Sequence, residues 1–125
     1  IEPFEDASLN PAGYDLRLAG AVVLEPGAHQ LVGTLERVEL GSELVGILHI
    51  RSSLAREGVI PSLALVDPGF RGQLTISLFN SSKKRVELRA EERFVQLTLV
   101  KLGREAAKKY EGRYQDSTGV VSSRR

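Results

Sequence analysis

Apolar and polar residues alternate with a period of two along most of this chain, and Gly, Pro, Asn and Ser separate the alternating runs. In residues 73–79 (QLTISLF), one face carries Leu, Ile and Leu, and the other carries Thr, Ser and Phe. Such alternation predicts half-buried strands. The other predicted strands are Tyr14–Leu24 as a bent strand or strand pair, Gln30–Leu40, Leu44–Ile50, Arg85–Leu88 and Arg93–Leu102.

Several short strands at regular spacing predict an all-β sandwich or barrel-like roll. One short helical candidate, Ser52–Glu57, interrupts them, because Ser52 or Ser53 can cap a single turn. From Gly103 onward the chain is polar and rich in Lys and Arg, which by itself is typical of a disordered tail. A chain of 125 residues suits a single domain, so we expect a β domain over residues 1–102 and a tail over 103–125.

The composition narrows the classes of function. Seventeen basic and sixteen acidic residues leave a net charge of +1, so no overall basic field attracts a nucleic acid. The absence of Cys excludes disulfides and thiolate chemistry and fits a reducing, cytoplasmic setting. His29 and His49 lack a partner at ligand spacing, which disfavours zinc. No apolar run approaches the ~20 residues that cross a bilayer, and since Met is absent, we expect that the translated protein starts upstream.

The stretch Asp67-Pro68-Gly69-Phe70 has the composition of a type II turn. Pro presets φ at the second position, and Gly accepts the positive φ that the third position requires. Composition alone favours Asp67 as a residue that caps its own turn. The alternative is functional, because a stiff turn at a strand end also holds a carboxylate where a general base is needed.

A second stretch, residues 50–58 (IRSSLAREG), combines two hydroxyls and two guanidinium groups near a helix start. That set suits a phosphate, although an ordinary capped turn with solvated arginines explains it equally well. Asp15 lies at a predicted strand start. Considered without the other motifs, it is interpreted as an acid whose hydrogen bonds are satisfied within a turn. Gln96 lies in an apolar strand, where a buried amide needs partners, so it either ties a loop or contacts a ligand.

Five stretches occur in an order that resembles the superfamily of trimeric dUTPases and dCTP deaminases. They are PAGYDLRL, RSSLAREG, VDPGFRGQLTISLFN, EERFVQL and YQDSTGVVSSR. The resemblance covers nearly the whole chain and implies a distorted β-barrel or jelly roll of the β-clip type that forms a homotrimer. It also implies that residues 103–125 are a lid, which closes over a site belonging partly to a neighbouring subunit.

Within this superfamily the chain resembles a dUTPase built on the deaminase-type scaffold. Deaminases carry a Glu after the Asp-Pro-Gly turn, in a pattern like ITLELFN, where this chain has LTISLFN and Ser77. A Ser hydroxyl is a poor base without an activating neighbour. The motif sequences AGYDL and Ser117-Thr118-Gly119 also resemble those of dUTPases, whereas RSSLAR and DPGF resemble those of deaminases.

The resemblance implies hydrolysis of dUTP to dUMP and pyrophosphate, with Asp67 as the base that deprotonates or orients water. Phe70 would pack against the deoxyribose, and Mg²⁺ would be chelated by the triphosphate, with Asp15 touching it through water. The implied substrate-binding residues are Arg51, Ser52, Ser53, Arg56 and Gln96 at the phosphates, the backbone of Thr75, Ile76 and Ser77 at the uracil, and Tyr110, Arg113 and Ser117 in the lid, with Tyr114 the nearest candidate to cover the base.

Three alternatives remain open from the sequence. The first is a dCTP deaminase, including a bifunctional form, which would need another base in place of the missing Glu. The second is a non-catalytic nucleotide-binding trimer. The third is a plain β-sandwich interaction module, which predicts no affinity for nucleotides.

Overall fold

The computed structural model describes residues 1–62 and 64–125. In these residues a 3-10 turn spans Asp6–Ser8 and the helix α1 spans Ser52–Arg56. The strands are β1 (Leu9–Asn10), β2 (Gly13–Arg17), β3 (Val22–Leu24), β4 (His29–Glu39), β5 (Leu44–Ile50), β6 (Val59–Pro61), β7 (Leu65–Val66), β8 (Arg71–Asn80), β9 (Val86–Leu88) and β10 (Arg93–Lys101).

The strands form three antiparallel sheets. The largest has the order β1-β2-β10-β5-β7, the second has the order β4-β8-β6, and the third pairs β3 with β9. Strands that are distant in sequence are neighbours in space, since β10 lies between β2 and β5. This arrangement confirms the all-β class and the distorted jelly roll. Nowhere in residues 1–62 and 64–125 is there a helix of the length and apolarity that a membrane span requires.

The core lies between the inward faces of the sheets. In β8, Ile76 and Leu78 are buried and Phe79 is exposed, as the period of two predicts. Leu16 of β2 and Phe94 of β10 are fully buried against them in the same core. Burying a side chain of this size stabilises the fold by roughly 1.5–3 kcal/mol relative to leaving it in water.

The predicted elements recur with small shifts in their ends. β5 has the predicted bounds and β8 extends the predicted run in both directions. Residues 14–24 form neither one bent strand nor a pair, because β2 and β3 are separate strands in different sheets. Two other local predictions are wrong. Arg51 occupies the amino-terminal cap position of α1 without a side-chain cap, so neither serine caps the helix. Asp15 lies in the middle of β2, not at its start.

A register shift in β4, between Gly33 and Arg37, turns Glu36 into the core. Its Oε2 accepts the backbone N–H of Arg17 at 2.8 Å, and its Oε1 accepts Arg17 Nε at 2.7 Å. The hydrogen bond to Glu36 raises the pKa of the Arg17 guanidinium above its ordinary value. This buried pair joins β2 to β4, and β4 in turn supports β8.

Candidate active site

The turn that carries Asp67 has the predicted type II geometry. The Phe70 N–H donates to the Asp67 carbonyl at 3.0 Å, and Gly69 has a φ of 84°. The Asp67 side chain is exposed, and it forms no ion pair with any residue in 1–62 or 64–125. A carboxylate on a stiff turn, with no cation at ion-pair distance in the described chain, is available to accept a proton.

Asp67 lines a cavity of about 370 Å³, which we call the Asp67 pocket. This volume lies within the range of small-molecule sites, and the lining is mostly apolar with a few polar groups, as in such sites. The lining residues are Leu31, Ser62, Leu65, Val66, Asp67, Phe70, Gln73, Leu74, Thr75, Ser77, Tyr110, Tyr114, Ser117, Val121 and Ser123.

Backbone polar groups along one edge of β8 form hydrogen bonds with residues that line this pocket. The Ser77 N–H donates to Ser62 Oγ at 3.0 Å, and the Ser77 carbonyl accepts the Ser62 N–H at 2.8 Å. The Gln73 N–H donates to the Ser117 carbonyl at 2.8 Å on the same edge. Since backbone groups alternate between the two edges of an antiparallel strand, Thr75 also directs its N–H and C=O to this edge.

The structure brings Ser77 to the pocket but not Ile76. Ser77 is half-buried, and within the described chain its hydroxyl makes no hydrogen bond to a carboxylate or an imidazole. Ile76 is 1% exposed on the core face, and its backbone groups point toward Val32 of β4. The predicted contact of Ile76 with a base therefore has no support in this geometry.

The carboxy-terminal residues cover the pocket of their own chain. The Tyr110 N–H donates to the Pro68 carbonyl at 2.8 Å, and its ring meets Phe70 edge-to-face at 5.4 Å. Ser117 is buried and lines the pocket with Tyr110. Arg113 is exposed and donates to the Arg124 carbonyl, so it lies outside the pocket lining.

The predicted phosphate-binding residues form a second group, the Arg51 cluster. Arg51 Nε donates to Asp15 Oδ2 at 3.0 Å, and Arg51 Nη1 donates to the Arg93 carbonyl at 3.3 Å. Asp15 faces Gln96 across the β2–β10 ladder. The members of the Arg51 cluster are Asp15, Arg51, Ser52, Ser53, Arg56 and Gln96, and none of them lines the Asp67 pocket.

The cluster presents charge to solvent at one end only. Ser52, Ser53 and Arg56 are exposed on α1. Asp15 is 4% exposed, and its ion pair with Arg51 offsets the charge of both groups. The exposed hydroxyls and the Arg56 guanidinium are the donors that an anion would meet first.

The acid and imidazole groups in residues 1–62 and 64–125 do not gather into a set of three or more that could hold a metal. His29 lies opposite Phe79 and His49 lies opposite Gln96, in different sheets. Arg51 contacts Asp15 at Oδ2, and the Asp15 side chain is only 6% exposed, so it is poorly placed for direct contact with an ion. This suits an ion carried mainly by a bound triphosphate rather than a protein cage.

Sequence reasoning missed the polar residues that hold the tail on β8. Gln73 Oε1 accepts the Gly119 N–H at 2.6 Å, and Gln115 and Asp116 contact the first residues of β8. Two signals could have found this contact. Gln73, like Gln96, is a polar residue within an alternating run, and a Gly inside a strand, here Gly72, often marks the close approach of another backbone.

Comparison with known proteins agrees with this geometry. A family model described as dCTP deaminase-like matches residues 18–102. The dCTP deaminase of Pyrococcus furiosus is 47% identical over 140 aligned positions, which cover 100% of this chain and 90% of that protein. The probable deoxyuridine 5′-triphosphate nucleotidohydrolase of Sulfolobus islandicus rod-shaped virus 1 is 31% identical, covering 97% of this chain and 85% of the relative.

Solved structures share the fold. A point mutant of the dUTPase from phage phi11 of S. aureus superposes with a TM-score of 0.70 at 21% identity and covers 90% of each chain. The native EIAV dUTPase has a TM-score of 0.68 at 18% identity, covering 83% of this chain and 87% of its own. Together with the family model and the 47% identical relative, they lead to one conclusion: the chain belongs to the dCTP deaminase-like family, within the dUTPase and dCTP deaminase superfamily.

Proposed function

We propose that this chain is a dUTP diphosphatase, which converts dUTP and water to dUMP and pyrophosphate. One observation carries the proposal: among the described residues that line the pocket, Asp67 is the single carboxylate, and a serine stands at position 77. One carboxylate suffices to activate a water for attack on phosphorus. Proton shuttling onto a cytosine ring needs a second base near the ring, where this pocket offers a hydroxyl.

In the proposed reaction, Asp67 accepts a proton from the water as the water oxygen bonds to the α-phosphorus. The bond from that phosphorus to the bridging oxygen breaks, and pyrophosphate leaves with the electron pair. General-base help of this kind contributes roughly 10²–10⁴ in rate. The type II turn supports the proposal because it fixes the carboxylate at the pocket before substrate arrives.

The nucleoside would bind along the β8 edge. The Thr75 N–H and C=O point to the edge that faces the pocket, where they match a uracil oxygen and the adjacent ring N–H. Phe70, buried beneath Tyr110, would contact the deoxyribose and leave no room for a 2′-hydroxyl. Tyr114 lines the pocket and would cover the base.

The phosphates would be bound by the Arg51 cluster of a neighbouring copy. Within one chain that cluster does not line the Asp67 pocket, so the two sets of groups must come from different subunits if they serve one substrate. A homotrimer, as expected from the superfamily, meets this need. Arg56, Ser52 and Ser53 would then offset the charge on the departing pyrophosphate, with Gln96 and the lid residue Arg113 as further contacts.

Mg²⁺ fits this proposal as a companion of the substrate. The dUTPase from phage phi11 of S. aureus coordinates a structural Mg(II) ion. Bound to a triphosphate, the ion neutralises charge and orients the leaving group. The residue of this chain that would contact its water shell is Asp15, which Arg51 contacts at Oδ2.

Replacing Asp67 with Asn tests the assignment, because Asn keeps the size and removes the base. We expect kcat for pyrophosphate release from dUTP with Mg²⁺ to fall roughly 10²–10⁴-fold, with KM nearly unchanged. Glu111→Gln, at another exposed acid, is the matched control and should keep full activity. An Asp67→Asn protein as active as the parent would remove Asp67 from the mechanism, and a parent that binds dUTP without turnover would favour a non-catalytic trimer.

A dCTP deaminase is the second candidate, because the Pyrococcus furiosus relative, at 47% identity, bears that name. The hydroxyl at position 77 supports the first candidate instead. Ser77→Glu would place a carboxylate where deaminases carry one, half-buried at the pocket. We expect no ammonia from dCTP with the parent, and any release that the variant gains would identify this position as the determinant.

A further inference from the structure

The tail lies along the first residues of β8 through backbone hydrogen bonds. The Asp116 N–H donates to the Arg71 carbonyl at 2.7 Å, and the Gln73 N–H donates to the Ser117 carbonyl at 2.8 Å. Gly72 and Ser117 form a parallel bridge between these two bonds. Residues 116–117 therefore extend the edge of β8 in the way that an added strand would.

Side chains hold the same junction from outside. Arg71 Nη2 donates to Asp116 Oδ2 at 2.7 Å, Arg71 Nε donates to Asp116 Oδ1 at 2.5 Å, and Arg37 Nη2 reaches Oδ1 at 3.1 Å. A two-pronged guanidinium–carboxylate pair fixes orientation as well as distance. The hydrogen bond from Arg71 lowers the pKa of Asp116 below its ordinary value, so the pair favours the charged carboxylate.

Gln115 connects the junction to the Asp67 turn. Its Oε1 accepts the Arg71 N–H at 2.9 Å, and its Nε2 donates to the Gly69 carbonyl at 2.9 Å. Gly69 is the third residue of the turn whose first residue is Asp67. The same side chain thus bonds to the strand and to the turn, and it sets the distance between the tail and the proposed base.

The glycines of this region are placed to admit the tail. A Cβ on Gly72 would lie 2.9 Å from Ser117 N and 3.0 Å from Ser117 O, which are backbone atoms that cannot swing aside. A Cβ on Gly69 would lie 2.9 Å from Lys109 Cβ. Both glycines also have positive φ. The strand and its turn are therefore shaped for the close approach of the chain's own tail.

We propose that Gln115 and Asp116 form a clasp that holds the lid in cis, so that Asp67 and the lid covering it belong to one chain. The neighbouring subunit then supplies only the Arg51 cluster. Gln115 and Asp116 are positioning residues, since they act through the strand and turn that carry the pocket. The consequence for catalysis rests on the proposed function, whereas the clasp itself is a property of the chain without nucleotide.

Hydrogen exchange without nucleotide tests the clasp directly. In Asp116→Asn, and more strongly in Gln115→Ala/Asp116→Asn, the amides of Gln73, Gly119 and Val121 should exchange roughly three- to tenfold faster, because surface pairs and neutral hydrogen bonds have modest strength. Amides of the β5–β10 ladder should keep their rates, which shows that the fold is intact. Glu111→Gln, on the same tail, is the control. Unchanged exchange of the three tail and strand amides in the double variant would overturn the clasp.

Mixing inactive chains tests whether the lid acts in cis. Asp67→Asn chains keep an intact clasp, and Asp116→Arg chains keep Asp67 but reverse the charge that meets Arg71 and Arg37. Unfolded together and refolded, the two should give no more dUTP hydrolysis than the average of the separate proteins. Activity that exceeds the average would mean that a lid from one chain serves the Asp67 of another, and it would overturn the cis assignment.

A second mixture shows that shared sites can form. Asp67→Asn chains mixed with Arg51→Ala chains should regain activity, since each chain lacks a group that its neighbour supplies. Hydrolysis regained here but not with Asp116→Arg supports the proposal. If the parent hydrolyses no dUTP, the proposed function has failed, and the exchange experiment still decides the clasp on its own.

Discussion

At the scale of single residues, the stability of the fold depends most on the charged groups that are buried in the core. Glu36 is fully buried, and both of its carboxylate oxygens accept hydrogen bonds from Arg17. Removing Glu36 leaves the largely buried Arg17 with the more exposed Glu5, at 3.3 Å, as its remaining charged partner, and breaking such a buried pair costs more than the pair contributed. Loss of this pair would also disturb the proposed site, because β4 supports β8, the strand that lines the pocket.

We therefore expect Glu36→Ala to lower the free energy of unfolding by about 3–5 kcal/mol. Urea denaturation of parent and variant measures it. The matched control is Glu87→Gln, which breaks an exposed pair with Arg85 at 2.9 Å and should cost under about 1 kcal/mol. Equal effects of the two changes would show that the Glu36 pair is not a buried structural contact.

The position of single residues was predictable where local backbone geometry determines it. The turn that carries Asp67 was predictable from Pro and Gly at its second and third positions. The hydroxyl at position 77 is given directly by the sequence. The pairing of Asp15 with Arg51 was not predictable, because it depends on β10 lying between β2 and β5. No periodicity in β2 reports that neighbour.

At the scale of elements, the tail and β8 behave as one unit. Backbone bonds, the Asp116 ion pairs and two glycines meet within residues 69–73. The alternation of β8 was predictable from its sequence, and the strand has the predicted faces. The tail was not, because it has no hydrophobic period and is held by polar groups, whose partners are set by tertiary structure.

Gly72→Ala tests this unit from the strand side. The added methyl would lie 2.9 Å from Ser117 N, so the tail must move and KM for dUTP should rise roughly tenfold, with a smaller effect on kcat. Gly20→Ala is the control, since nothing lies within 4 Å of its Cβ and its φ is not positive. If the KM of Gly72→Ala equals that of the control, the packing of the lid on β8 does not contribute to substrate binding.

At the scale of the whole molecule, the fold keeps apart the groups that one substrate would need together. The Arg51 cluster lies on β2, α1 and β10, whereas the Asp67 pocket is lined by residues of β4, β7, β8 and the tail, and no residue belongs to both. The resemblance implied a site shared between subunits but not how far apart the two sets of groups lie within one chain, because distance in a jelly roll depends on how the strands cross between sheets.

We expect the protein in solution to contain three chains of 13.7 kDa and to lose activity when it is diluted until the chains separate. Light scattering after gel filtration gives the mass, and pyrophosphate release per chain gives the activity. A stable monomer with undiminished turnover would show that one chain carries a complete site and that the shared-site arrangement is incorrect.

The most direct test of the central claim is product analysis on dUTP and dCTP in parallel, with Mg²⁺ and the parent protein. We expect dUMP and pyrophosphate from dUTP, and no ammonia from dCTP, because Asp67 is present and position 77 holds a hydroxyl. Ammonia released from dCTP at a rate comparable to dUTP hydrolysis, or dUTP left intact, would contradict this expectation.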